Sequence, residues 1–180
     1  MAEIKRRDAK LKELIVYVAA RAADDPAMGA MKLNKVLFHA ESRAFLRLGH
    51  PISGHPYMKR ELGPAPKDLR PIRTNLERGN AIRVEAEDIG APHAKARIVA
   101  LREPNRSMFS AEELAIVDEV IEELRPLSGT AVSDDSHRLP GWRAVAMDTE
   151  IPYETAIVSV DGTDEEHARA RELAASIGKG

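Results

Sequence analysis

Histidine, carboxylate and hydroxyl side chains are where chemistry would begin in this sequence, which has six histidines and no cysteine. His39 and Glu41 stand two residues apart, a spacing that on a helix sends them to different faces and suits a shared metal ion poorly. His50 and His55 fall in a stretch dense in proline and glycine, and no His-Glu-x-x-His pattern occurs. The run Asp134-Asp135-Ser136-His137 holds every residue type of an acyl-transfer triad. Neighbouring residues of a helix diverge by about 100°, so Ser136 is badly placed to use His137 as its base. No Gly-x-Ser-x-Gly elbow is present to expose a nucleophile, and a structural Ser-His pair is the expectation. The glycine motifs of nucleotide binding are missing as well. Gly63-Pro64 could cradle an anion ahead of a helix, although a turn that redirects the chain is the simpler role. The residues thus predict no catalytic group, no metal and no cofactor.

Asn34 and Glu41 say more. Leu33, Val36, Leu37, Ala40, Ala44 and Leu48 trace one apolar face of a helix over about 32–48, widened by Phe38 and Phe45. Asn34 and Glu41 fall inside that arc at i, i+7, while Lys32, Lys35, His39 and Ser42 fall on the opposite, polar side. An amide and a carboxylate within an apolar arc need hydrogen bonds if buried, since an unpaired buried polar group costs roughly 1–3 kcal/mol. Two readings compete, with the structural one the stronger. Both residues could satisfy backbone groups of the proline-rich excursion at 50–66, or they could line a cleft that a partner fills. Trp142, the single tryptophan, sits in Pro-Gly-Trp beside Ile151-Pro152-Tyr153. Interface anchor and plug on an irregular segment are equal readings of it.

These residues are carried by a mostly helical chain. Leu11, Leu14, Ile15, Val18, Ala19 and Ala22 predict a first helix that stops at Asp24-Asp25-Pro26. An extended excursion with a short strand or hairpin follows the second helix, then the rigid Gly63-Pro64-Ala65-Pro66 turn. Leu69, Ile72 and Leu76 mark a helix that ends at Gly79-Asn80, with Pro71 near its start. Two strands, 82–85 and 96–101, form a small antiparallel pair connected around Asp88, Gly90 and Pro92. Ser110 and Glu113 read as a capping box, with Phe109 and Leu114 at the staple positions, for a helix through Leu124. A short helix over 128–137 comes next. Residues 139–142 and 151–153 read as irregular, and a Thr163/Glu166 box opens a last helix over about 164–178. The expected fold is mainly α with a small antiparallel β element (α+β), one domain over 1–180.

Composition narrows the function classes. Hydrophobic residues at 43% and charged ones at 31% suit a folded globular chain, and a net charge of −2 is unlike a dedicated nucleic-acid binder. The basic clusters Lys5-Arg6-Arg7 and Lys67, Arg70, Arg73, Arg78 read as solvated helix faces. The lack of cysteine, of an apolar leader and of any run near the ~20 apolar residues of a membrane span predicts a cytoplasmic protein with no membrane partner.

The motifs then converge on a family. Lys32-Leu33-Asn34-Lys35-Val36-Leu37-Phe38, followed by Glu41, resembles the signature of Panacea-domain (SocA-like) antitoxins. Pro51-Ile52-Ser53-Gly54, Tyr57 and Gly63-Pro64-Ala65-Pro66 follow in the family's order. Ser136-His137, Gly141-Trp142 and Ile151-Pro152-Tyr153 resemble its C-terminal pattern. The likeness runs over about 8–158, and the last helix carries no motif of the family. The resemblance implies a compact helical domain with a small β element, and a protein that neutralises a cognate toxin by direct contact, in some members by delivering it to an AAA+ protease. On that reading Asn34, Lys35, Glu41, Tyr57, Gly63, Pro64 and Trp142 form or support the partner surface. The alternative is a DNA-binding regulator that uses the basic helix with Lys67, Arg70, Arg73 and Arg78.

Overall fold

The computed structural model describes residues 2–87, 95–157 and 164–177. Its first helix, α1 (Ala2–Arg21), buries the expected stripe of Leu11, Leu14, Ile15, Val18, Ala19 and Ala22. Each leucine or isoleucine so buried contributes about 1.5–3 kcal/mol. The second helix, α2 (Ala30–Leu48), stops where Gly49 takes a left-handed conformation (φ 77°) and its N–H bonds back to Phe45 O. Two-residue strands β1 (Tyr57–Met58) and β2 (Ala65–Pro66) pair antiparallel, Tyr57 opposite Pro66. The sequence reading of a short hairpin is met, and half of the expected 63–66 turn is strand. Helix α3 (Leu69–Arg78) follows, with Pro71 in its first turn. Strands β3 (Ile82–Glu87) and β4 (Lys95–Ala100) form the second antiparallel pair, Ile82 opposite Ala100. The expected connection around Asp88, Gly90 and Pro92 lies outside the described residues.

Helix α4 (Ala111–Leu124) opens on the capping box that its sequence predicts. Ser110 Oγ accepts from Glu113 N at 3.1 Å, and Glu113 Oε2 accepts from Ser110 N at 3.0 Å. Helix α5 (Gly129–Ser136) is capped by Ser128, whose Oγ accepts from Ala131 N. One expectation fails at 139–142. Residues Pro140–Ala144 form a short helix, α6, because Pro140 occupies the first helical position, where its fixed φ helps and its missing N–H is not needed. A 3-10 turn at Tyr153–Ile157 and the last helix, α7 (Asp164–Ile177), follow. Thr163, expected to cap α7, lies outside the described residues. The result is an α+β fold.

Helix α2 packs against α1, α4, α5 and the 153–157 turn, so its polar side is covered as well as its apolar arc. Lys32 and Lys35, on that polar side, are 0% and 2% exposed. Lys32 Nζ bonds Asp25 Oδ2 at 2.8 Å and Arg125 O at 3.1 Å, while Asp25 Oδ1 accepts from Ala27 N at 2.8 Å. The ion pair thereby ties the α1–α2 turn to the end of α4. Amphipathic periodicity missed it because a long basic side chain can be buried wherever a carboxylate and a free carbonyl await it.

Removing one partner of such a pair strands the other charge. Lys32→Met is expected to lower unfolding free energy by about 3–5 kcal/mol in chemical denaturation, and a loss under about 1 kcal/mol would contradict the account.

Candidate functional site

Two polar residues of α2, Glu41 and Lys35, organise the excursion that follows it. Glu41 is fully buried, and no basic side chain pairs with it among the described residues. Its carboxylate instead accepts from Ser53 N at 3.1 and 3.0 Å, from Ser53 Oγ, and more distantly from Gly54 N at 3.5 Å. Burial drives its pKa up to about 7 against the pull of these hydrogen bonds. The structural reading of Glu41 made from sequence is therefore the observed one, since its partners are the backbone amides of Ser53 and Gly54 and the Ser53 hydroxyl, all in the proline-rich excursion. Asn34 parts company with it. It is half-buried, and its Oδ1 is enclosed without a hydrogen-bond partner.

Lys35 reaches the other end of the excursion. Its Nζ donates to Pro64 O at 3.1 Å, and burial pulls its pKa down to about 8. From the other side Ser133 Oγ donates to Leu62 O at 2.9 Å, and Ser136 Oγ donates to Ser133 O at 2.6 Å. Gly63 is gripped between these groups in left-handed backbone (φ 90°), where a Cβ would meet Ser136 Oγ and stand 2.8 Å from Lys35 Nζ. Only glycine satisfies both the angle and the space. Ser136 is thus a packing group for the 62–64 turn. His137 stacks on Trp142 at 4.4 Å between ring centroids, so the two do not form a nucleophile–base pair.

Tyr57 lies beneath this surface. It is fully buried against Phe38 and Tyr153, with its hydroxyl unbonded, while Tyr153 Oη donates to His55 O. Trp142 is half-buried between His137 and Lys59, whose Nζ lies 4.0 Å from the ring centroid, and its Nε1 donates to Arg60 O at 3.4 Å. Of its two sequence readings, the plug describes what it touches.

The candidate residues divide accordingly. Asn34, Lys35 and Gly63 line an open groove of about 1130 Å³ between the start of α2, the 60–66 turn and α3. Pro64 is buried and lends that turn its carbonyl, and Glu41, Tyr57 and Trp142 hold its supports. Sequence reasoning passed over Leu62 and Met147, which line the same groove and are 58% and 49% exposed. The signal for Leu62 was available, as a leucine between Glu61 and Gly63-Pro64 is unlike a core position. Arg70 and Arg73, singled out as basic, line it from α3. Among the described residues no group of three or more His, Asp or Glu could hold a metal ion, and no helix is long and apolar enough to cross a membrane.

Fold and groove define an α+β scaffold that presents a broad, open, mixed-polarity surface. The family model for antitoxin SocA-like proteins, the Panacea domain, matches residues 33–143, from the start of α2 to α6. The chain belongs to that family. No curated protein and no solved structure matches it.

Two substitutions test the geometry. Gly63→Ala is expected to cost at least about 2 kcal/mol, from backbone strain together with overpacking against Lys35 and Ser136; an unchanged denaturation midpoint would contradict the close approach. Glu41 gives a pH signature. Folded, it keeps its proton to about pH 7, whereas its ordinary value is 4.5. Folding therefore takes up a proton in that window, and stability falls as pH rises from about 4.5 to 7, on the order of 3 kcal/mol from this group. Subtracting the pH–stability curve of Glu41→Gln from that of the wild type should leave this slope, and parallel curves would count against it.

Proposed function

We propose that this chain is an antitoxin that neutralises a cognate toxin by direct protein–protein contact, with residues 1–180 acting as one domain in the cytoplasm. The observation that carries the reading is the groove beside Gly63. Its rim exposes Leu62 and Met147, its α3 wall carries Arg70 and Arg73, and its floor is held by the buried Lys35 clamp. Exposed apolar side chains flanked by arginines on a preorganised backbone suit a protein partner. Membership of the antitoxin SocA-like family supports a toxin as that partner.

A nucleic-acid partner is the weaker reading. The chain's net charge is −2, unlike the clear basic excess of a dedicated nucleic-acid binder. Delivery of the toxin to an AAA+ protease is a finer form of the same contact. It requires that the toxin be destroyed as well as bound.

Co-expression with the product of the adjacent gene tests the proposal, with host growth, co-purification and toxin level as readouts. Restored growth with a co-purifying complex is expected; loss of the toxin only when an AAA+ protease is present would add the adaptor role. A toxic neighbour that is neither bound nor rescued would overturn the reading.

A further inference from the structure

The start of α3 is electrostatically incomplete. Arg70 and Arg73 lie one turn apart near the helix's positive end, where like charges oppose each other and the dipole. The first turn carries no acidic residue to offset them. Asp68, the N-cap residue, stands in left-handed backbone (φ 54°) and makes no side-chain bond to the helix. Neither arginine has a carboxylate partner among the described residues. Other arginines are paired, Arg43 with Glu123 and Arg47 with Glu119, each at 2.6 Å, Arg102 with Glu13, and Arg125 with Asp24 and Glu122, while Arg70 and Arg73 stand out among the unpaired ones because both line the same groove. Local rules broken without compensation inside the fold mark sites completed by something else.

Both arginines face the groove, where Lys35 adds an ammonium with one hydrogen bond and no carboxylate among the described residues. Asp148 is already engaged by Arg60, which leaves Glu61 and Asp68 as the groove's unpaired anions against these three cations. A guanidinium matches a carboxylate with two parallel hydrogen bonds, and Leu62 and Met147 supply apolar contact alongside. We propose that the toxin lays an acidic segment, bearing aspartate or glutamate side chains, into this groove, where Arg70 and Arg73 pair with its carboxylates. This rests on the groove being the toxin surface.

The test measures Kd for the product of the adjacent gene with the wild-type chain, R70E/R73E, R70Q/R73Q and A115E, the last an exposed position of α4 away from the groove. Kd is expected to rise about 100-fold in R70E/R73E and about 10-fold in R70Q/R73Q, while A115E stays within about 3-fold. Circular dichroism checks folding, and the glutamine pair decides the matter if the charge reversal unfolds. Folded double variants that both bind within about 3-fold of wild type overturn the proposal and leave the toxin reading standing. Intact toxin binding with lost promoter-DNA binding assigns the arginines to nucleic acid and overturns it too. A wild-type chain that binds no toxin removes the reading beneath it.

Discussion

A helix packed on several sides cannot leave all of its polar side chains to water, and α2 is such a helix. Lys32, Lys35 and Glu41 are all buried, and each is satisfied by a different irregular segment: the 25–27 turn, the carbonyl of Pro64, and the amides of Ser53 and Gly54. The dependence runs both ways. The 50–66 excursion makes only a two-residue ladder of its own, so most of its backbone groups need partners that a sheet would otherwise supply. Glu41 and Lys35 provide them at its two ends, and α5 contributes Ser133. A carboxylate without a cation and an ammonium without a carboxylate are individually costly, which explains why burial moves both pKa values toward neutrality.

That arrangement decides what the outer surface can be. The 60–66 turn is held at Leu62 O and Pro64 O from below, while Trp142 Nε1 takes Arg60 O at its edge. Its exposed side chains therefore ride on fixed backbone, and little ordering entropy is lost when a partner docks there. Family membership and groove meet at this point, because the family match begins at Leu33, in the first turns of the helix that holds the turn in place.

Most of the fold was legible from local chemistry. The stripe on α1, the Ser110–Glu113 box and the Gly49 stop each specify an element through interactions within a few residues. The site was legible in part. An acidic side chain inside an apolar arc pointed to Glu41's backbone partners, and those were found in the excursion that follows. The partners of Lys32 and Lys35 are not legible, because periodicity records which residues prefer water and not which ones are offered a carboxylate or a carbonyl from distant chain. Tyr57, expected to form or support a partner surface, is buried and so placed only to support one, since a loop's path over a helix is not encoded in spacing. Leu62 and Met147 escaped notice for a similar reason: their exposure depends on how the 60–66 turn and the 147–148 segment meet α3.

The central claim is that the clamped 60–66 turn and the start of α3 are where the toxin sits. Amide hydrogen exchange on the free chain and on its complex with the adjacent gene's product tests it most directly. New protection confined mainly to residues 31–35, 60–73 and 147–148 is the predicted result. Protection that falls instead on β3–β4 or the outer face of α4, with those segments unchanged, would contradict it.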